Sequence, residues 1–304
     1  MDVGVIGVGS MGRNHARIYA ELKAVDSLYV YDTNGKAAGE MERLHGATAC
    51  ESLGDLLARS EAVSLCAPTG LHCGIARQVL AAGVHTLIEK PICSTASEGR
   101  SLLPAIRKGV TVGVGHIERF NPVVAEIRKI IRKPLYLEMK RHNPASARVK
   151  GSSVVYDLMI HDIDIALHAF LRGRPSSIVS AGSDDVAGAL LRWGETPVYL
   201  STSRKSCKKI RMCYIEEEEF TVEGDFMAQE VYIHRKPGRY TLEDDRYVQE
   251  NIIEKVMVNK LEPLKLELST FLDCAARGKP FPVTPGEAVE NLEICEEIRR
   301  GLSG

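Results

Sequence analysis

No apolar run in the sequence reaches the ~18 residues that a membrane-spanning helix needs. The opening "MDVGVIGVGS" lacks a charged leader followed by an apolar stretch and a cleavage site, so no signal peptide is expected. None of the eight cysteines forms a C-x-x-C pair, which argues against a zinc ribbon or a disulfide framework. Reduced, structural thiols in a cytoplasmic protein are expected instead. With a formal net charge of −1 and no long basic tail, the chain carries no electrostatic footprint for nucleic acid. No internal repeat is visible. The hydrophobic fraction of 44% and charged fraction of 26% are those of a globular protein, and 304 residues suffice for two domains.

The first third of the chain alternates short apolar runs with helical patterns. Residues 3–8, 27–32, 62–67, 85–90 and 110–115 read as strands, and "MGRNHARIYAELK" and "LHCGIARQVLAAG" as helices between them. Strands that are apolar on both faces and separated by helices imply a parallel sheet covered on both sides. This rhythm stops after Gly115. Asn121-Pro122 then opens an amphipathic helix, and "VYLSTSR", "KIRMCYI" and "EVYIHRK" alternate as strands of an antiparallel sheet do. Residues 216–219, four glutamates, read as an exposed turn between two strands. The expected architecture is α/β: a dinucleotide-binding domain at 1–117, then an α+β domain at 118–304 for substrate and oligomerisation.

Gly7, Gly9 and Gly12 form a G-x-G-x-x-G, with Ser10 and Met11 inside it, directly after the first strand and before a helix. Glycines there permit a tight turn and let backbone amides approach a pyrophosphate at the helix N-terminus. Asp32 lies twenty residues beyond Gly12, at the end of the second strand, where a carboxylate accepts from an adenosine ribose. The residues after it are Thr33, Asn34 and Gly35, with no arginine to receive a 2′-phosphate, so NAD is favoured over NADP. A glycine turn and a helix-capping aspartate are the plain alternative. Ligands on open parallel sheets sit beyond the carboxyl ends of the strands. Ala67 closes the strand at 62–67 there, and Pro68, Thr69 and His72 follow it. "LIEKPI" ends the next strand on Glu89 and Lys90, two charges for which folding gives no reason.

Downstream, in "GSSVVYDLMIHDIDIALHAF", Asp157, His161 and Asp164 are spaced i, i+4, i+7, within roughly 60° of arc on a regular helix. A histidine between two acids suits proton transfer. An exposed helix face remains an alternative. A metal site lacks a fourth ligand, and none is expected. His168 falls on the same stripe as a structural or peripheral residue.

These motifs together resemble the Gfo/Idh/MocA oxidoreductase family: the glycine loop followed by His15, Ala67-Pro68-Thr69 with Leu71-His72, Glu89-Lys90-Pro91, and D-x3-H-x2-D at Asp157, His161 and Asp164. They run in order through both domains. The resemblance implies a Rossmann domain followed by a domain with a large, mostly antiparallel sheet whose open face makes dimers or tetramers. In that family the lysine of E-K-P lies near nicotinamide and substrate, often through a cis lysyl-prolyl bond, and the acid–histidine motif supplies the substrate-facing base. Carried onto this sequence, those roles fall to Lys90, Asp157 and His161. Two positions depart from the pattern: Ser152, where the family often has a second glycine, and Met159, where glycine is frequent. "GHIERFNP" and "DLMIHDIDIAL" resemble the nucleotide-sugar branch, in particular the 3-dehydrogenases of UDP-N-acetylglucosamine.

The expected activity is hydride transfer from a sugar carbinol carbon to NAD. A UDP-sugar needs cations for its diphosphate, and Arg119, Arg141 and Arg148 are the candidates beside ordinary surface roles. The rival expectations are a dehydrogenase of inositol or another free sugar, and an NAD-binding sensor without catalysis.

Overall fold

β1 (Asp2–Ile6) is buried along almost its whole length and leads through the glycine loop into α1 (Ser10–Glu21). The computed structural model describes residues 1–144, 151–238, 240–243 and 245–302. β2 (Ser27–Tyr31), α2 (Gly35–His45), the two-residue β3 (Thr48–Ala49) and α3 (Leu53–Arg59) follow. Next come β4 (Ala62–Leu65), α4 (Thr69–Ala82), β5 (His85–Glu89), α5 (Ala96–Leu102) and β6 (Val112–Gly115). The six strands lie in the order β3-β2-β1-β4-β5-β6, all parallel. Every residue of β4 is buried, as a central strand covered on both faces requires. The chain turns back at β1, so β1 and β4 are neighbours whose connections leave in opposite directions. The carboxyl ends of β1, β4 and β5 therefore open onto one crevice.

The second region begins with α6 (Pro122–Ile130), capped by the Asn121 side chain on the Val123 amide with Pro122 in the first turn. β7 (Tyr136–His142), α7 (Ile160–Ile165), β8 (Ser177–Gly182), β9 (Val186–Trp193), β10 (Thr196–Ser203) and β11 (Ile210–Glu216) follow. β12 (Phe220–Asp225), β13 (Glu230–Arg235), β14 (Tyr240–Glu243), β15 (Arg246–Gln249) and β16 (Ile253–Val256) complete its strands. Eight of them form one sheet, β16-β13-β12-β11-β7-β10-β9-β8, antiparallel except between β7 and β10; β14 and β15 pair separately. Alternation along β9 buries Ala187, Ala189 and Leu191 and leaves Leu190 half exposed. In register beside Leu190 stand Val179 and Tyr199, which also face outward.

The expected division put all of 118–304 in the second domain. The chain instead forms one unit from Met1–Phe120 with Glu262–Glu293 and another from Asn121–Leu261 with Ile294–Gly304. α8 (Pro263–Arg277) and the start of α9 (Pro285–Gly301) thus belong with the parallel sheet. The physical reason is aromatic packing on the open edge of that sheet. Phe281 stacks on Phe120 at 5.5 Å and meets Phe271 edge-on at 6.0 Å. A Cβ on Gly113 of β6 would stand 2.3 Å from the Phe281 ring, and the Val114 amide donates to the Val283 carbonyl. Among the described residues no helix is long and apolar enough to cross a membrane.

Candidate active site

The glycine loop occupies the carboxyl end of β1. Gly7 has φ +85°, in the left-handed region that favours glycine. A Cβ on Gly12 would lie 1.9 Å from the Gly7 carbonyl oxygen, so only glycine lets the helix start this close to the strand. A Cβ on Gly9 would meet nothing within 4 Å, which leaves room above the loop for a ligand. α1 begins at Ser10 with no side-chain cap and no acid in its first turn. Its free amide end and positive dipole suit a pyrophosphate. Asp32 is fixed at the end of β2, accepting from the Val8 amide and the Asn34 amide, each at 2.8 Å. These residues fit a dinucleotide.

Arg13 was passed over in the sequence because it precedes Asp32 rather than following it. It lies near enough to Asp32 for their charges to interact, and it pairs with Glu40 at 2.6 Å. The hydrogen bond it donates to the Glu40 carboxylate holds its guanidinium above the ordinary arginine range.

α4 starts at Thr69, directly after the β4 segment that carries Ala67 and Pro68. His72, expected to touch the cofactor, is buried with both ring nitrogens committed: Nδ1 lies 2.9 Å from the Pro91 carbonyl oxygen and Nε2 2.7 Å from that of Ala67. It ties the end of β4 to the turn after β5. Lys90, half-buried, directly follows β5, and its bond to Pro91 is cis. Glu89 is not open to a cofactor: its carboxylate is buried and accepts from His15 Nε2 at 3.0 Å. Burial opposes its ionisation, but the hydrogen bond and charge of His15 and the charge of Lys90 outweigh that, so it lies below the ordinary glutamate value.

The acid–histidine segment is not one regular helix. Val155–Met159 is a π turn, α7 follows, and Ala166–Phe170 is a second π turn. Wider turns of this kind recur at functional sites. Asp157 lies in the first, so the regular spacing that placed it in line with His161 and Asp164 does not carry across. Asp157 is half-buried, His161 is 9% exposed and Asp164 is buried. Among the described residues no group of three or more His, Cys, Asp and Glu could hold a metal ion.

The sequence missed Asp162. Its Oδ1 accepts from Arg141 Nε at 2.9 Å and Nη2 at 2.7 Å, both side chains are almost wholly buried, and the guanidinium lies 5.9 Å from the Phe226 ring. This corrects the reading of Arg141 as a phosphate clamp: its charge is spent inside the second unit. Arg119 is likewise engaged, with Nη1 3.4 Å from the Glu287 carboxylate and 3.4 Å from the Pro282 carbonyl oxygen. Arg148 lies outside the described residues.

The family model for the Gfo/Idh/MocA oxidoreductases, an NAD-binding Rossmann fold, matches residues 1–116. UDP-N-acetylglucosamine 3-dehydrogenase from Acidithiobacillus ferrooxidans is 32% identical over 290 residues, 92% of this chain and 90% of that one. Its solved structure matches with a TM-score of 0.89 at 28% identity, over 99% of this chain and 97% of that chain. The rhizopine catabolism protein MocA of Rhizobium meliloti is 29% identical over 99% of this chain and 95% of its own length. A levoglucosan dehydrogenase solved with NADH and levoglucosan shares the fold, with a TM-score of 0.85 at 19% identity over 100% and 97% of the two chains. With the glycine loop, the Asp32 carboxylate and the Lys90–Pro91 turn in place, the chain belongs to the Gfo/Idh/MocA family and is an NAD-dependent oxidoreductase.

Proposed function

We propose that the protein oxidises UDP-N-acetylglucosamine at C3 to the 3-keto sugar nucleotide. The observation that carries this reading is the likeness, along 92% of the chain, to an enzyme of that activity. When bound, NAD supplies the hydride acceptor. His161 takes the hydroxyl proton on a ring nitrogen as the carbinol carbon is oxidised. Asp157 orients that imidazole or the substrate hydroxyl. Lys90 donates a hydrogen bond to the oxygen on which negative charge develops.

Binding energy from the nucleotide, remote from the reacting carbon, serves to orient it. Free N-acetylglucosamine is then a very poor substrate and UDP a competitor. The test is mass spectrometry of UDP-N-acetylglucosamine after incubation with NAD and a carbonyl acceptor that recycles the cofactor. Loss of two mass units supports the reading. No such product, together with efficient oxidation of a free polyol, hands the assignment to an inositol-type dehydrogenase. The internal engagement of Arg119 and Arg141 favours that second reading, because it leaves only Arg148 of the three expected diphosphate contacts.

We further propose a homodimer or homotetramer formed through the open face of the eight-stranded sheet. The outward row of Val179, Leu190 and Tyr199 supports this. The scattered spacing of the eight cysteines, with no C-x-x-C pair, supports a reducing, cytoplasmic setting.

A further inference from the structure

His15 and Glu89 form a buried pair that the chemistry above does not use. His15 on α1 is fully buried, and its Nε2 donates to Glu89 Oε1 at 3.0 Å. Glu89 Oε2 accepts from the backbone amide of Lys90 at 3.2 Å. Gly115 is the β6 register partner of Glu89, and a Cβ there would stand 2.9 Å from Oε1. The carboxylate is thus held from α1, from the end of its own strand and by the space that β6 leaves. Taking an ionised carboxylate out of water is costly, and folding alone gives it no reward here.

The other titratable groups around the pair are Tyr19 on α1, Cys66 after β4, Glu267 on α8 and Lys90 itself. Burial pushes the Tyr19 hydroxyl up, and burial with the charges of Glu89 and Glu267 pushes the Cys66 thiol well up. Both stay neutral through any ordinary assay range. Tyr19 also bonds Ser64 at 2.7 Å. Of these groups, Lys90 is the one whose charge, with that of His15, holds the Glu89 carboxylate ionised.

We propose that His15 and Glu89 are positioning residues for Lys90: His15 keeps the buried carboxylate in place, and the carboxylate fixes the Lys90 backbone and supplies its counter-charge. This rests on the reading of Lys90 as a residue that acts on the substrate. It explains why the strand ends on an acid before the lysine and why α1 brings a histidine beneath it.

The test compares Glu89→Gln, His15→Ala and His15→Gln with Lys90→Met in the full chain. In Glu89→Gln, kcat falls about 10- to 100-fold, the scale of a lost charge-assisted hydrogen bond, while KM, NAD affinity and Tm stay close to the parent. In the apo protein, Lys90 acylates several-fold faster, read by peptide mass spectrometry. His15→Gln keeps an N–H donor for the carboxylate and restores most of the rate that His15→Ala loses, which a purely space-filling role would not allow. In the Lys90→Met background, Glu89→Gln adds no further loss of kcat. Parent-like kcat and acylation in Glu89→Gln, with Lys90→Met inactive, overturn this proposal alone. Parent-like turnover in Lys90→Met overturns the reading of Lys90 and this proposal with it.

Discussion

The dinucleotide end of the first unit is made of backbone: a glycine at positive φ, another pressed on a carbonyl oxygen, a helix start without a side-chain cap. The acid–histidine segment of the second unit is made of side chains on a helix whose turns are irregular and whose neighbouring charges pair with residues far along the chain. A backbone site tolerates almost no residue but glycine at its crowded points, so it leaves the same mark in any sequence. A side-chain site depends on which partner the fold delivers, and the same aspartate serves proton transfer or a buried ion pair accordingly.

Substitutions at Lys90 and His161 separate the two regions most sharply. Lys90→Met and His161→Ala should each lower turnover by ~10²- to 10⁴-fold with NAD binding intact, because acid–base groups contribute on that scale and the glycine loop is untouched. Steady-state kinetics beside cofactor titration checks this; a correctly folded variant with near-parent turnover removes that residue from the chemistry. Next comes Arg141→Met. Breaking a buried pair removes the guanidinium from the Asp162 carboxylate, so the expected loss is about 3–5 kcal/mol of stability, read by denaturant unfolding. A diphosphate clamp would instead raise KM in a salt-dependent way and leave the unfolding midpoint alone.

Asp32→Ala tests the backbone region at a side chain. NAD affinity should fall about tenfold, as expected for losing a charge-assisted hydrogen bond, and discrimination against NADP should relax. Arg13 near Asp32 becomes the cation that accepts a 2′-phosphate. Equal or better NADP affinity in the parent protein would refute the role of Asp32. The smallest effect belongs to the exposed pair of Asp184 with Arg299, at 2.6 Å. The hydrogen bond from Arg299 holds the Asp184 carboxyl down at about 2, against 3.8 ordinarily. A depressed carboxyl contributes stability above pH 3.8 that is lost as the pH falls toward 2. Solvent screens the pair, so Arg299→Ala should cost at most about 1 kcal/mol at neutral pH and nothing below pH 2, measured by thermal melts across that range.

The parallel sheet was legible because each of its central strands is a short apolar run closed by a turn, and the glycine loop because its spacing answers to backbone sterics. Lys90 was legible as a charge with no folding reason at a strand end. Arg141 was not: its partner is twenty-one residues away on a different element, and nothing local separates a buried arginine from a substrate-facing one. Glu89 looked like a cofactor contact for the same reason, since His15 reaches it from seventy-four residues away. The allegiance of Glu262–Glu293 to the first unit rests on Phe271 and Phe281, two aromatic residues that any core would accept.

Because the first unit is assembled from two stretches separated by more than a hundred residues, no single cut in the gene can release it whole. A fragment ending after β6 would leave the Gly113 face without the Phe281 ring and the Val114 amide without its Val283 acceptor. Such a fragment offers a bare strand edge to any chain that can pair with it, and its fate is self-association rather than a small independent NAD-binding module. In this chain the cofactor domain is therefore inherited together with the rest of the protein, and recombination could exchange the intervening sheet only by replacing it between two fixed flanks.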